Sequence, residues 1–323
     1  MRNIRTDLAI EAHEMLTEAA EEIAGVDVQA HDTGNIHVTR VKIETPQAQQ
    51  QMGKPMGSYI TLEIPDLKSA DNAQYETACR TLAEEIGSLI TLNEHTNILV
   101  VGLGNWNITP DALGPQVVSK LMVTRHLLEY IPEQIGEGVR PVCAISPGVL
   151  GITGMETGEI IRGVVDKIQP DIVIAIDALA ARNLERISST IQICDTGISP
   201  GAGVGNKRKA LNVETLGVPV IAIGIPTVID AATITADTLN IVVDSMLKNA
   251  DENSGFYKML KSMDKDEQYA LVKEVLSPHL ADFMVTPKEV DLLIDRVSRV
   301  VANGINLALH DNLTFEDIEA FVS

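Results

Sequence analysis

Two aspartates in this chain, Asp111 and Asp177, combine a residue type and a position suited to acid–base chemistry. Asp111 follows the apolar run 98–103, which predicts a strand buried on both faces. Asp177 is the last residue of a second apolar run, 171–177. Open α/β sheets bind ligands in the crevice beyond the carboxyl ends of parallel strands, so we expect both carboxylates to converge there.

The chemistry expected of two adjacent carboxylates is aspartic-type hydrolysis. Two such acids share one proton, so the ionised member can take a proton from water while the neutral member polarises a substrate carbonyl. Each acid alone also has a structural interpretation. Asp111 would favour the first turn of a helix that begins at Thr109 and Pro110, and Asp177 could cap the next helix. Their equivalent positions after two buried strands favour the catalytic interpretation.

The composition limits the classes of partner. The formal net charge is −20 over 323 residues, so the surface repels phosphate backbones and attracts basic proteins. We therefore expect no direct nucleic-acid binding. The three cysteines form no CxxC pair, and no apolar run reaches the ~18 residues of a membrane span. Because the N-terminus also lacks an apolar signal core, we expect a cytoplasmic protein that contacts no membrane.

The elements that position the two acids alternate between strands and helices. This alternation predicts an α/β fold of three layers, with a mostly parallel sheet between helices on both faces. The predicted elements are helices at 6–24, 71–92, 111–130 and 156–168, strands at 36–44, 59–64, 97–103, 141–145, 171–177, 190–194 and 218–225, a polar, glutamine-rich loop at 46–57, and a mostly helical region at 238–310.

The glycine-rich segment 197–206 predicts a loop. It matches the GxSxG pattern around Ser199, but the following residue is Pro200, which has no N–H to donate to an oxyanion. We interpret the segment as a substrate-binding lid, with Gly201 and Gly203 as candidate substrate-binding residues. The histidines form no HExxH motif, so we expect no metal and no other cofactor.

Several long motifs resemble those of the germination protease family of spore-forming Firmicutes, and together they extend over nearly the whole chain. They are Gly102–Pro115, Ser146–Thr157, Ala175–Arg182, Asp195–Asn206 and Ala302–His310. The resemblance implies the fold of the hydrogenase-maturation endopeptidases. It also implies that Asp111 and Asp177 are the catalytic pair of an atypical aspartic protease. Asn105 and Glu156 lie in these motifs and are further candidate substrate-binding residues.

The resemblance further implies an endopeptidase that degrades small acid-soluble spore proteins during germination. Members of the family are zymogens that process themselves, assemble as homotetramers, and act in the forespore and spore core. The sequence from Thr6 to Glu11 resembles their acidic-then-apolar cleavage site, so we expect autocleavage between Asp7 and Leu8. The predicted domains are a propeptide at 1–7, shorter than is usual in the family, and one α/β protease domain at 8–323. That domain contains a small β insertion at about 36–64 and a helical C-terminal part at about 238–323.

Two alternatives stay open at this point. The first is a metal-dependent endopeptidase of the hydrogenase-maturation type, whose members use a histidine as a further metal ligand. After the strand that ends at Ile225 this chain has the segment 226–230, which contains no histidine, and this argues against copying that mechanism. The second is a non-catalytic acidic partner that sequesters basic proteins. It would bind them without releasing peptide products.

Overall fold

The computed structural model describes residues 6–17, 23–65, 67–200, 209–251, 253–262, 271–272, 274–275, 283–311 and 313–322. The strands in these ranges are β1 (Val26–Thr33), β2 (Ile36–Ile43), β3 (Gly57–Glu63), β4 (Ile98–Gly102), β5 (Val142–Ile145), β6 (Ile172–Ala181), β7 (Thr190–Cys194), β8 (Val220–Asp230) and β9 (Met284–Val285). The helices are α1 (Ala9–Thr17), α2 (Pro46–Met52), α3 (Asn72–Leu89), α4 (Leu113–Val118), α5 (Arg125–Tyr130), α6 (Leu150–Thr153), α7 (Thr157–Ile168), α8 (Val213–Leu216), α9 (Ala231–Asn249), α10 (Gly255–Lys261), α11 (Val290–Leu309) and α12 (Phe315–Val322).

All these strands belong to one mixed sheet. Its order is β1-β2-β3-β7-β8-β6-β4-β5, and β9 pairs with β8. The strands β8, β6, β4 and β5 are mutually parallel, whereas β1, β2, β3 and β7 join by antiparallel pairs. The strands at the predicted β insertion therefore extend the central sheet by direct hydrogen bonding to β7.

Helices cover both faces of this sheet, which confirms the predicted three-layer α/β architecture. On one face, side chains such as Ile174 and Ile223 pack with α3, α4 and α11 in the largest core. On the other face, Val173 and Ala175 pack against Ile161 of α7. Beside this second core, α1 and α2 cover β2, β3 and β7 in a separate cluster. No helix among the described residues is both long enough and apolar enough to cross a membrane.

The glutamine-rich stretch differs from the loop expected there. Residues 46–52 form α2, whose first turn is capped by the Thr45 hydroxyl, the acceptor of the Ala48 amide. The helix ends at Gly53, which has a left-handed backbone with φ of 64°. Ala48 and Met52 are the buried residues of α2. Because the helix is short and has few apolar positions, its stability comes from the Thr45 cap, from Pro46 in its first turn and from the burial of these two side chains.

The helix predicted at 111–130 is divided into α4 and α5. Between them the chain leaves helical geometry to pair with the start of β5 through Thr124. The Thr124 amide donates to the Val142 carbonyl at 3.0 Å, and the Val142 amide donates to the Thr124 hydroxyl at 3.0 Å. These bonds give the Thr124 and Val142 amides acceptors where the helix is interrupted.

Candidate active site

Asp111 is held near the carboxyl end of β4 by a tight loop. β4 ends at Gly102, and after a short loop the chain forms a 3₁₀ turn, Thr109–Asp111. The Asp111 carbonyl accepts a hydrogen bond from the Asn105 amide at 3.0 Å. The prediction that an α-helix begins at Thr109 and Pro110 is wrong, because this turn has no side-chain cap and α4 begins only at residue 113.

The glycines of this loop permit a close backbone approach. A Cβ atom on Gly104, whose φ is +115°, would lie 1.9 Å from the Asp111 carbonyl oxygen. A Cβ atom on Gly102 would lie 2.2 Å from the Gly114 carbonyl oxygen. The two positions therefore require glycine, and their role is to place Asp111 against the end of β4.

Asp177 lies within β6, one residue beyond the last pair between β6 and β4. There β6 stays paired with β8, and Gly224 is opposite Asp177. The expectation that Asp177 ends its strand is wrong, because β8 supports β6 as far as Ala181. For the same reason Asp177 cannot be a helix N-cap. The residue is 6% exposed, and its carboxylate accepts from the Ala178 amide at 3.0 Å.

The two predicted acids line one cleft of about 620 Å³. The cleft begins where β4 ends and continues along residues 178–180 of β6. Residues of β7 and residues 53–55, which follow α2, complete its wall. The structure therefore brings Asp111 and Asp177 to one cavity that is large enough for an extended peptide segment.

The N-terminal segment forms part of the wall of this cleft, because Asp7 is among the residues that line it. The Asp7 amide donates to the Ala180 carbonyl at 3.3 Å, and the Ala180 amide donates to the Asp7 carboxylate at 2.9 Å. Leu8 is fully buried in a cluster with Leu179, and Ile198 packs against this cluster. Asp7, the residue before the predicted cleavage site, thus lines the same cavity as the predicted catalytic acids.

Two polar residues that the sequence analysis missed contact the same segment. Lys54 Nζ donates to the Thr6 carbonyl at 3.1 Å and to the Asp7 carbonyl at 2.8 Å. Gln192 Nε2 donates to the Asp7 carbonyl at 3.3 Å, while Gln192 Oε1 accepts from the Ala9 amide at 2.6 Å. Gln192 interrupts the apolar run of β7, which is a signal that sequence reasoning could have used. Nothing in the polar stretch around Lys54 distinguishes it.

Glu11 fixes the start of α1 beside β6. It is 3% exposed, and its carboxylate accepts from the backbone amides of Arg182 and Asn183, each at 2.9 Å. The Arg186 guanidinium lies 3.7 Å from the same carboxylate and binds Glu14 through two hydrogen bonds. Because a buried carboxylate is stable only when it is hydrogen-bonded or paired, these contacts hold the segment after Leu8 in place.

Burial changes the ionisation of the groups in the cleft wall. It lowers the pKa of the Lys54 ammonium, an effect that the Asp7 carboxylate opposes. It raises the pKa of the Cys194 thiol and that of the Tyr59 phenol. A nucleophilic cysteine requires a lowered thiol pKa, and the described residues that line the cleft include no histidine. The arrangement therefore suits water activated by carboxylates better than a thiol nucleophile.

The other candidate substrate-binding residues are Asn105, Glu156, Gly201 and Gly203. Asn105 turns the loop before Asp111, because its side-chain oxygen accepts from the Asn107 amide at 3.0 Å. Glu156 directly precedes α7 and is half-buried. Gly201 and Gly203 lie outside the described residues. The substrate-binding roles of these four residues stay predictions.

The family model for the germination protease matches residues 6–262 and 242–322 of this sequence. The chain belongs to the germination protease family. The germination protease of Clostridium tetani is 55% identical over 322 residues, which cover 99% of this chain and all of that protein. That of Clostridium acetobutylicum is 51% identical over 327 residues and covers both chains completely. That of Bacillus mycoides is 45% identical over 356 residues, with 99% and 97% covered. The chain is therefore a peptide-bond hydrolase.

One solved structure similar to this germination protease is a nickel–iron hydrogenase maturation protease, HycI, from Thermococcus kodakarensis KOD1. It aligns with a TM-score of 0.30 and 18% identity, over 60% of this chain and 99% of that one. In the described part of the germination protease, no three His, Cys, Asp or Glu residues are grouped so that they could hold a metal ion.

Proposed function

We propose that this germination protease cuts peptide bonds by an aspartic mechanism, with Asp111 and Asp177 sharing one proton beside a water molecule. The observation that carries the proposal is that both carboxylates line one cleft whose wall also includes Asp7, the residue before the predicted cleavage site. The ionised carboxylate takes a proton from water as the water oxygen attacks the Asp7 carbonyl carbon. The protonated carboxylate gives its proton to the Leu8 nitrogen as the C–N bond breaks.

The test replaces each acid by its amide in the full chain. Asp111→Asn and Asp177→Asn each remove a proton-transfer group, so cleavage should fall by about 10²–10⁴-fold while the circular dichroism spectrum is unchanged. Asp166→Asn is the matched control, since Asp166 is exposed and pairs with Arg162, one turn earlier in the same helix. Cleavage by Asp177→Asn at the rate of the control would contradict the proposed dyad.

The same site would process its own chain. Cleavage between Asp7 and Leu8 releases the propeptide at 1–7 and leaves one protease domain at 8–323. The extended pairing of Asp7 with Ala180 and the buried Leu8 side chain support this choice of bond. N-terminal sequencing of the processed chain should give Leu8 as its first residue. Any other start would rule out this bond.

The proposed substrates are small acid-soluble spore proteins, degraded in the spore core when germination begins, with the enzyme stored in the forespore as a zymogen. The net charge of −20 favours polypeptides over nucleic acids as the partners of its surface. Incubating a purified small acid-soluble spore protein with the processed enzyme should give two discrete fragments. The new N-terminus should follow an acidic residue. Binding of the substrate without fragments would contradict the proposal.

The proposed assembly is a homotetramer. Helix α9 supports an oligomeric state because it exposes apolar side chains that a monomer leaves in water. They are Leu239, Ile241, Val242 and Met246, between 43% and 70% exposed. Light scattering coupled to size exclusion should give about four times the chain mass of 34.9 kDa. A monomer mass at micromolar concentration would contradict it.

A further inference from the structure

The carbonyl oxygen of Asp7 is bound by two side-chain donors from separate parts of the fold. Lys54 Nζ lies 2.8 Å from it and Gln192 Nε2 lies 3.3 Å from it. Lys54 follows α2, whereas Gln192 belongs to β7, so the two donors meet only through the tertiary structure. If the Asp7–Leu8 bond is the one that is cut, this oxygen is the atom that becomes negatively charged on attack.

The position of Lys54 depends on α2. Gly53 ends that helix in a left-handed conformation with φ of 64°, which turns the chain toward the cleft. Ala48 and Met52 of α2 pack with Ala9 and other residues of α1. This packing holds in place the helix that Lys54 follows. The half-buried Lys54 ammonium has carbonyl oxygens as its hydrogen-bond acceptors, and burial lowers its pKa. A partly desolvated cation stabilises nearby negative charge more strongly than a fully hydrated one.

The orientation of Gln192 follows from its contacts on both sides of the cleavage site. Its Oε1 accepts from the Ala9 amide, which leaves Nε2 to donate to the Asp7 carbonyl. The sheet register places Gln192 opposite Gly224, and Gly224 opposite Asp177. Gln192 and Asp177 therefore lie in one row across the sheet and on the same face, two strands apart. The side-chain amide of Gln192 therefore contacts the backbone on both sides of the Asp7–Leu8 bond. It does so on the face of the sheet that carries Asp177.

We propose that Lys54 and Gln192 form the carbonyl-binding site of this protease. Both donate to the carbonyl oxygen of the residue before the cleaved bond, and Lys54 stabilises the negative charge that develops there. The inference rests on the proposed aspartic mechanism. When water attacks, the carbonyl electron pair moves to the oxygen that faces Lys54. It returns when the C–N bond breaks, and the lysine keeps its proton throughout.

The experiment measures release of residues 1–7 from the full chain by mass spectrometry. Lys54→Met retains the length of the side chain without its charge, and Gln192→Met removes the amide donor. Each should slow release by about 10²–10³-fold, the usual effect of removing one such donor. Lys167→Met, at an exposed position of α7, is the matched control and should cleave at the unaltered rate.

Lys54→Arg separates a charge role from a packing role, because it keeps the positive charge but not the shape. It should cleave at least tenfold faster than Lys54→Met. Equal rates for these two variants, or release within threefold of the unaltered rate in both Met variants, would overturn the inference. If Lys54→Met fails to fold by circular dichroism, Gln192→Met alone decides between these outcomes.

The failure of the inference can be distinguished from that of the proposed mechanism. If the unaltered chain releases residues 1–7 and Asp177→Asn does not, the aspartic mechanism stands whatever the Lys54 variants do. If Asp177→Asn still releases them, the mechanism itself has failed.

Discussion

Gly104→Ala tests whether the glycine loop places Asp111. The added Cβ atom would lie 1.9 Å from the Asp111 carbonyl oxygen, whereas real Cβ atoms essentially never approach closer than 3.0 Å. The turn that carries Asp111 must therefore shift by about 1.1 Å. A misplacement of about 1 Å in a catalytic group costs roughly 10²-fold in rate, so we expect propeptide release to slow by that factor.

The control for this variant is Gly154→Ala. Gly154 also has a left-handed backbone, with φ of +70°, but a Cβ atom there would meet nothing within 4 Å. Both variants should lose about 1–2 kcal/mol of unfolding free energy from the unfavourable backbone conformation. The clash should add about 1–3 kcal/mol for Gly104→Ala alone.

Urea unfolding and mass spectrometry of the released peptide measure the two effects of these variants. Propeptide release by Gly104→Ala at the rate of Gly154→Ala would show that the loop tolerates the shift. The reasoning that links these glycines to Asp111 would then be refuted.

Two further predictions concern stability. Burial lowers the pKa of His310 to about 4 from 6.5, so the unfolded chain binds a proton that the folded chain excludes between these pH values. Stability should therefore fall by about 3 kcal/mol as the pH drops from 6.5 to 4 in urea unfolding. His310→Asn, which retains an acceptor for the Arg140 amide, should remove that part of the slope, and an unchanged slope would contradict the assignment. Gly304→Ala places a Cβ atom 2.6 Å from the Leu82 side chain and should lower the free energy of unfolding by about 1–3 kcal/mol. Its control, Gly87→Ala, adds a Cβ atom in open space and should be neutral or stabilising. Equal melting temperatures for the two variants would contradict this prediction.

The positions of the two acids could be predicted because each follows an uninterrupted apolar run. Strands of that kind are buried on both faces in the parallel part of a sheet, so their carboxyl ends converge. The prediction placed Asp177 at a strand end, whereas it lies where β4 stops and β6 continues. The length of β6 depends on its pairing with β8, which is distant in sequence. Local patterns do not contain that information.

The missed elements β1 and α2 have few buried side chains, so their apolar patterns are weak. β1 is an edge strand with mostly exposed residues, so it lacks the alternation of a half-buried strand. α2 has two buried side chains, and its main sequence signal is Thr45 followed by Pro46, a cap and a first-turn proline. Lys54 depends on that short helix for its position. A site residue placed by a missed element could not be found from the sequence.

The bonds between Asp7 and Ala180 have a consequence for how a cleavage point is selected. Asp177 and Ala180 belong to the same strand, three residues apart, so the span between the acid and the backbone groups that hold the peptide is set by that strand. A polypeptide docked through those groups would always present its backbone at the same offset from the acid. The scissile position would then be chosen by distance, and side-chain pockets would only have to reject sequences that fit badly.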